Sequence, residues 1–570
     1  MRTKRYGCSA ASTLAIAGFA TLLASAVTSS GKDGPVLTER EKAIHALNRL
    51  GFGPRPGDVE KVLAMGVSAY TDRQLKPEDI SDAAASASLK RFPTLEMTTT
   101  QLFGRFERPL REARRQRQRK LASRDETMAS GYADRNDAVD EAERIRQMIL
   151  PENRPRRIVE ELSQARILRA AESERQLNEI LVDFWMNHFN VFAGKGLDRV
   201  FITSFERDAV LPRIWGRFED LLLATAKSPA MLFYLDNAQS TADEAHRPVR
   251  PIPLGRGLFG QGLFGMRAGA ANPNRPPGGL NENYARELME LHTLGVDGGY
   301  TQKDVTELAR ALTGWSIVRP EQGAGFLFRA ALHDTGAKTV LGHRLPAGGG
   351  IEEGEMMIRI LARHPATAGR IAFQLCQRFV ADAPPSELVE RVAKKFLGTG
   401  GDLRETVRAV VTSPEFFDPR YYRAKIKSPF EYVVSAVRAV GASPDDALPI
   451  ARQLAQMGEP LYLCQPPTGY SDTAAAWVNT GALVSRLNFA LQLAANKLPG
   501  TWTDVERLIE PESAADAKKA AEALSCALVE GELSPETRRA LERSIGEGNR
   551  RPAIPLIAGL LLGSPEFQRQ

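Results

Sequence analysis

Residues 279–315 decide the fold. They read GLNENYARELMELHTLG over 279–295, VDGGY over 296–300, and TQKDVTELARALTGW over 301–315. Apolar side chains recur at helical spacing in the first and last segments, and a glycine pair separates them. Thr301 and Asp304 have the spacing of a capping box, which marks the start of the second helix. The stretch predicts a helical hairpin.

The first helix of this hairpin carries an unusual number of ionisable side chains. Glu282 and Arg286 are four residues apart, and so are Arg286 and Glu290, which is the spacing of ordinary surface ion pairs. That pairing accounts for only part of the set. The side chains that it leaves unexplained are Asn283, Glu287 and His292.

A second candidate segment reads Asp183-Phe-Trp-Met-Asn187-His188-Phe-Asn190. On a helix, Asp183 and Asn187 share one face, and Phe184 and His188 share another. A histidine and an asparagine that are buried among aromatic rings must find hydrogen-bond partners. The segment therefore predicts either a functional histidine or a core histidine whose hydrogen bonds are satisfied.

The third candidate segment is His333-Asp334-Thr-Gly336-Ala-Lys338, which lies in a stretch of strand-like and turn-like sequence. An aspartate beside a histidine can orient the imidazole or share a metal ion with it. The alternative is a turn closed by a side-chain cap, since aspartate and glycine are common turn residues.

Together these segments predict a hydrolytic site. No metalloprotease motif, nucleophile elbow or Walker loop occurs, so dispersed histidines and carboxylates carry the prediction. A divalent metal is compatible with the set, although no ligand spacing specifies one. The predicted catalytic residues are His188, Glu287, His292, His333 and Asp334. The predicted substrate-binding residues are Asn187, Asn283, Arg286, Trp315 and Lys338.

The N-terminus predicts export. Three basic residues among the first five precede a short apolar run, and Ala24-Ser-Ala26 offers a small-residue cleavage site. This pattern is typical of a secretory signal peptide over residues 1–26, because the apolar run is short for a membrane anchor. We therefore expect a periplasmic or extracellular protein. No later run is apolar enough to span a membrane.

Net charge and cysteine content limit the classes of partner and the number of disulfides that we expect. The net charge of +6 comes from 75 basic and 69 acidic residues, and export argues against a nucleic-acid partner for the arginine-rich stretch at 111–120. Cys376, Cys464 and Cys526 remain after signal removal. An odd number allows one disulfide at most, and three buried thiols are the alternative.

We predict a mainly α-helical fold, a large multi-helix globular array with a small β-hairpin insertion and a long polar helical arm. The Gly/Pro loop at 240–280 contains a Gly-x-Gly-x-x-Gly match that follows no strand, so we expect no nucleotide cofactor. The insertion at 316–350 holds strand-like runs at 326–329 and 339–341. The predicted regions are N-terminal helices at 27–100, the arm at 101–150, a central helical region at 151–350 and a C-terminal helical region at 351–570.

These motifs resemble the bacterial domain of unknown function 1800 family over residues 45–490. The resemblance rests on LGFGP at 50–54, FWxNHF at 184–189, the segment 281–295, ALTGW at 311–315, HDxGxK at 333–338, WVNT at 477–480 and RLNFA at 486–490. It implies large, exported, mainly helical proteins and a co-exported partner of sulfatase-like sequence. Two positions depart from the family pattern: relatives carry His in place of Met186, and Gly-Trp with paired glycines near Tyr470.

We therefore expect an exported enzyme, hydrolytic, that acts on a polymer or another envelope component. This hypothesis predicts that the candidate side chains converge in one pocket. The alternative is a non-enzymatic scaffold or chaperone for a co-exported partner. It predicts an exposed apolar patch and no convergent ionisable cluster.

Overall fold

The computed structural model describes residues 36–125, 153–243, 246, 279–545 and 553–570. The predicted signal peptide, the distal half of the arm and most of the 240–280 loop lie outside the described residues. In the described parts the chain is mainly helical and carries three two-stranded antiparallel sheets. This confirms the predicted fold class.

The helical hairpin predicted for residues 279–315 forms. Its helices are Glu282–Glu290 and Gln302–Ala311. The hydroxyl of Thr301 accepts a hydrogen bond from the backbone N–H of Asp304, and the Asp304 carboxylate accepts one from the backbone N–H of Thr301. Local capping and apolar periodicity are sufficient to define both elements.

The N-terminal helices lead into the base of the predicted arm. A short apolar cluster of Leu102, Phe103, Phe106, Ile158 and Val200 anchors that base to the body. The arm is helical as far as Asp125, and its predicted remainder lies beyond the described residues. The α-helices of this part are Glu39–Arg49, Asp58–Met65, Val67–Gln74, Ala83–Leu89, Thr99–Leu102 and Arg108–Asp125, with a π-helical turn at Phe103–Glu107.

The central part supplies the helices on which two of the candidate segments lie. The FWMNH motif occupies the last two turns of its helix, where the chain leaves the helix at Phe189. Besides the hairpin, the α-helices of this part are Arg156–Glu172, Gln176–His188, Asp198–Ser204, Phe218–Ala226 and Pro229–Tyr234.

The β insertion consists of two separate hairpins. Trp315–Ile317 pairs with Phe326–Phe328, and Lys338–Val340 pairs with His343–Leu345. Each predicted strand-like run thus finds its partner nearby in sequence, so neither hairpin extends into a larger sheet. A third small sheet joins Ser443–Pro444 to Thr501–Trp502.

The described residues of the C-terminal part are mainly helical. Its α-helices are Ile351–Ala362, Pro365–Phe379, Ser386–Gly398, Leu403–Val411, Pro429–Ala439, Leu448–Gln456, Ala474–Trp477, Thr480–Ala494, Pro511–Ala514, Ala517–Leu528, Pro535–Ile545 and Ile554–Leu562. One cluster of buried apolar residues runs from Ala43 to Phe567 and joins these helices to the earlier ones.

The described residues include all three cysteines outside the predicted signal peptide. Cys376 and Cys464 are buried free thiols and Cys526 is an exposed one, so the one allowed disulfide does not form among them. No helix of the described chain is both long and apolar enough to cross a bilayer.

Candidate functional site

A cavity of about 250 Å³ lies where three helices meet an irregular loop. The helices are Arg156–Glu172, Gln176–His188 and Pro365–Phe379, and the loop runs from 459 to 473. We call this space the polar cavity. Its walls consist of Arg166, Asp183, Phe184, Met186, Asn187, His188, Asn190, Val191, Gln374, Gln377, Arg378, Ser428, Glu459, Leu461, Tyr462, Thr468, Tyr470, Ser471, Asp472 and Thr473.

An ion pair on the cavity wall joins helices Arg156–Glu172 and Gln176–His188. The guanidinium of Arg166 forms a short ion pair with the carboxylate of Asp183. The same guanidinium lies 5.2 Å from the centroid of the Tyr462 ring and 5.5 Å from that of Phe430. Stacking between two rings fixes the direction of the guanidinium, so the position of the Asp183 carboxylate is fixed as well.

Arg378 supplies the second cation, and it is only partly paired. Its Nη1 atom forms a close ion pair with Glu431, whereas its Nη2 atom lies 4.0 Å from an oxygen of Asp183. The side chain is only 6 % exposed, yet Nε and Nη2 make no hydrogen bond to any described residue. Two donors of a buried guanidinium beside the cavity therefore lack an acceptor among the described residues.

Glu459 has the most unusual carboxyl group of the cavity. It is 7 % exposed, and one of its oxygens accepts a hydrogen bond of 2.8 Å from the backbone N–H of Phe430. Burial, reinforced by the negative charge of Asp183, raises the pKa of Glu459 to about 8. At neutral pH the Glu459 carboxyl therefore holds its proton, close to a carboxylate that is paired with an arginine.

Asp472 contributes a further carboxyl group from the loop. Its oxygens lie 3.7 Å from Nη1 of Arg378 and 3.7 Å from Nζ of Lys425, both beyond hydrogen-bond distance. Burial raises the pKa of Asp472, against the opposing charges of Lys425 and Arg378. The cavity thus places three acidic side chains and two guanidiniums around one small space.

His188 faces the cavity as an uncharged ring. Its Nε2 atom lies 3.2 Å from the carbonyl oxygen of His292, so that nitrogen donates and Nδ1 is left as the acceptor. Burial is the main cause that lowers the pKa of His188 to about 3, and the charge of Arg370 acts in the same direction. The carbonyl of His292 and the side chain of Gln374 act in the opposite direction.

The loop at 464–473 is held in place by side chains from the helices. Both ends of the Asn187 amide bind Tyr470: Nδ2 donates to its carbonyl and Oδ1 accepts from its N–H. Asn190 donates to the carbonyls of Cys464 and Pro466. A Cβ atom on Gly469 would lie 2.4 Å from the carbonyl oxygen of Asn187, so only glycine fits there. The wall is therefore preformed.

Of the ten predicted site residues, the cavity lining includes Asn187 and His188 and none of the other eight. The amide of Asn187 is occupied by the loop backbone, so Asn187 holds the wall in this structure. His292 lies behind His188, 5.2 Å from the ring of Phe189, and is 3 % exposed. Burial and the neighbouring His188 lower the pKa of His292 to about 3.

The HDxGxK segment forms a separate buried ion network, composed of Arg310, His333, Asp334, Lys338 and Glu353. Two nitrogens of Arg310 bind the Asp334 carboxylate at 2.9 and 3.0 Å. Lys338 Nζ donates to Glu353 at 2.7 Å and to the carbonyls at 334 and 336. His333 donates from Nδ1 to the carbonyl of Thr313, and its Nε2 lies 3.3 Å from Glu353. These contacts tie the insertion to the neighbouring helices.

The remaining predicted residues lie on the hairpin and beside it. Asn283 is exposed, and Arg286 donates to the side chain of Gln302 at 2.7 Å across the two helices. Glu287 is partly exposed, and burial together with the charge of Glu290 raises its pKa. The fourth, Trp315, is fully buried and packs 5.2 Å from Phe326. The expected convergence of all ten side chains does not occur.

A metal site of the predicted kind is not assembled by these side chains. Within the part of the chain that the structure describes, no group of three or more His, Cys, Asp or Glu side chains is arranged to hold a metal ion. His188 and His292 have ring centroids 6.3 Å apart, and the partners of His333 are Thr313, Glu353 and Phe328 instead.

Four cavity residues, Arg166, Arg378, Glu459 and Asp472, were missed by the sequence analysis. Arg166 and Arg378 lie inside regular helices, and Glu459 follows a helix end, so none has a local signal. Asp472 could have been predicted as a candidate, because the stretch around Tyr470 differs from the family pattern. The other departure, Met186, is also on the cavity wall.

The fold and the cavity define a mainly helical protein with a buried, charge-lined site. The model of the family described as Protein of unknown function (DUF1800) matches residues 45–569, and the chain belongs to that family. No curated protein and no solved structure matches the chain.

Proposed function

We propose that the polar cavity is the substrate site of a hydrolytic enzyme, with Glu459 as general acid and Asp183 as its partner carboxylate. The observation that carries this proposal is the contrast between two carboxyl groups in one cavity. Glu459 has a pKa raised to about 8, whereas Asp183 is in an ion pair with Arg166. Acid–base hydrolysis requires this pairing of a protonated and an ionised group at one pH.

The chemistry assigned to each group follows from its environment. Glu459 would donate its proton to the leaving oxygen of a glycoside or ester, or to the leaving nitrogen of a peptide, as the scissile bond breaks, and Asp183 would orient the attacking water. The proton released by that water restores Glu459, so the net reaction adds one water molecule across the bond. His188 remains neutral near pH 7, because its pKa is lowered to about 3, and it would act as a hydrogen-bond acceptor.

The predicted location completes the proposal. The N-terminal pattern favours export to the periplasm or beyond, where a polar polymer of the envelope would be the substrate. A sulfatase-like partner stays a prediction from the family resemblance alone.

The test is a hydrolysis screen of the purified protein with chromogenic glycosides, esters and peptides. For any substrate that is turned over, we expect Glu459→Gln to lower kcat by about 10²- to 10⁴-fold, because the variant has no proton to donate. Glu542→Gln, on the exposed face of helix Pro535–Ile545, is the matched control and should retain full activity. Thermal unfolding checks that both variants fold.

The pH profile provides a second readout. Since Glu459 must be protonated, kcat/KM should fall about tenfold per pH unit above about pH 8. Hydrolysis that is indifferent to Glu459→Gln contradicts the proposal. If no substrate class is turned over and cavity variants change nothing, the scaffold hypothesis is favoured instead.

A further inference from the structure

We infer that the polar cavity binds a neutral polyhydroxyl unit, the sugar residue of an uncharged glycan. This inference rests on the proposed function for what happens to the unit after binding. It is carried by the arrangement of charges and free hydrogen-bonding atoms on the cavity wall.

The balance of charge disfavours an ionic ligand. An anionic group that reached the free nitrogens of Arg378 would also lie close to Asp183, 4.0 Å from one of them, and to Asp472. A cationic group that reached those carboxylates would lie close to Arg378 in the same way. A buried charge without its own counter-charge is costly, so both kinds of ligand are penalised. A neutral ligand avoids both penalties.

The hydrogen-bonding atoms alternate between donors and acceptors. Nε and Nη2 of Arg378 are buried donors without a hydrogen-bond partner. Oε1 of Gln374, one turn earlier on the same helix, is a buried acceptor without one, although the Gln374 side chain acts on the neighbouring ring of His188. The oxygens of Asp472 are too far from their cations for hydrogen bonds. A hydroxyl group both donates and accepts, so neighbouring hydroxyls of one sugar ring can satisfy donors and acceptors side by side.

The size and the apolar surface of the cavity agree with one sugar ring. Its volume of about 250 Å³ lies just below the range of roughly 300–1,000 Å³ for sites that bind drug-sized molecules. Phe184, Tyr462 and Tyr470 contribute aromatic side chains to the wall, and these can contact the C–H groups of a sugar ring. The side chains that anchor the loop keep this wall in place before any ligand arrives, which reduces the entropy cost of binding.

The test measures the binding of defined hexasaccharides by calorimetry at pH 7. The neutral probes are cellohexaose, maltohexaose, xylohexaose and N-acetylated chitohexaose. Hexagalacturonate is the anionic probe, and the fully deacetylated chitosan hexamer is the cationic one. We expect at least one neutral probe to bind ten times more tightly than either charged probe. The inference is overturned if no neutral probe binds, or if a charged probe binds most tightly.

A pair of variants links the binding to the cavity. Gln374→Ala removes a free acceptor without leaving a buried charge, so the variant should fold and should bind the neutral probe about tenfold more weakly. Gln456→Ala, on the exposed face of helix Leu448–Gln456, should bind like the unchanged protein. Equal affinity in both variants would place the sugar elsewhere and overturn the inference.

The outcomes separate this inference from the proposed enzyme. Binding of a neutral glycan without hydrolysis of any substrate would overturn the enzyme and keep the sugar site. Hydrolysis of esters or peptides that depends on Glu459, with no glycan binding, would overturn the sugar site and keep the enzyme.

Discussion

The polar cavity and the buried ion network contain the same kinds of side chain, and they differ in how these are paired. In the ion network, Lys338 is 1 % exposed and donates to three oxygens. The Asp334 carboxylate accepts two hydrogen bonds from the guanidinium of Arg310. In the cavity, Arg378 keeps two free nitrogens and Glu459 carries a pKa raised to about 8. Buried polar atoms without a hydrogen-bond partner occur in both groups, because Nε2 of His333 and Oε1 of Glu353 also lack one. The adjoining space therefore distinguishes the candidate site from the structural ion cluster.

The difference also shows in the pKa of each aspartate. Burial acts to raise the pKa of Asp334, but hydrogen bonds from Arg310 and Gly336 outweigh it and lower that pKa overall. Burial acts on Asp472 in the same direction, and there the more distant Lys425 and Arg378 do not outweigh it. The negative charges of Glu431 and Asp382 also raise the pKa of Asp472, so the opposite shifts follow from both the hydrogen bonds and the neighbouring charges.

The largest effect is expected from breaking the ion network. Lys338→Met removes the cation between Glu353 and the turn, and leaves a buried carboxylate without its main partner. We expect the free energy of unfolding to fall by about 3–5 kcal/mol, measured by urea denaturation. Lys303→Met, at an exposed position of the hairpin, is the control and should cost less than about 0.5 kcal/mol.

Adding Glu353→Leu to Lys338→Met should restore part of the lost stability, because it removes the unpaired charge. A loss below about 1 kcal/mol for Lys338→Met would show that the network is not the rigid structural element that we describe.

A smaller effect is expected for the histidine pair behind the cavity. The pKa of His292 is lowered to about 3, while an unfolded histidine titrates near 6.5. The unfolded state therefore binds more protons between these values, so stability is fully present above about pH 6.5 and falls as the pH decreases towards 3. Each such histidine contributes a slope of up to about 1.4 kcal/mol per pH unit.

The measurement compares His292→Gln with the unchanged protein by urea denaturation at pH 7, 6, 5 and 4. The free energy of unfolding of the variant should fall less steeply as the pH decreases, by up to about 1.4 kcal/mol per pH unit, because the variant lacks this histidine. Parallel slopes for the two proteins would mean that His292 is protonated in the folded state, against the burial seen here.

The smallest effect is expected on the hairpin. Arg286→Ala removes a hydrogen bond to Gln302 at the surface, and should change the free energy of unfolding by less than about 0.5 kcal/mol. Hydrolytic activity should stay within twofold of the unchanged protein, because Arg286 is not part of the cavity wall. A large loss of activity with unchanged stability would show that the active site lies on the hairpin, as the sequence predicted.

Much of the fold was predictable because its signals are local. The hairpin helices follow from apolar period and the Thr301–Asp304 capping box, and the β insertion follows from two strand-like runs. The site was only partly predictable. His188 was found through its own segment, while Arg378 and Glu459 come from helices and loops that carry no motif. Dense local charge on the hairpin was misleading, since Arg286 and Glu282 hydrogen-bond to neutral side chains of the second helix.

The sequence by itself determined the helices, their caps, the turns and the family of this protein, because period, capping and motif spacing act over a few residues. Only the tertiary structure decided which polar side chains are paired and which are free. Long-range packing brings together Arg166, Asp183, Arg378, Glu459 and Asp472. The pKa of a carboxyl group depends on the burial and the neighbours that this packing creates.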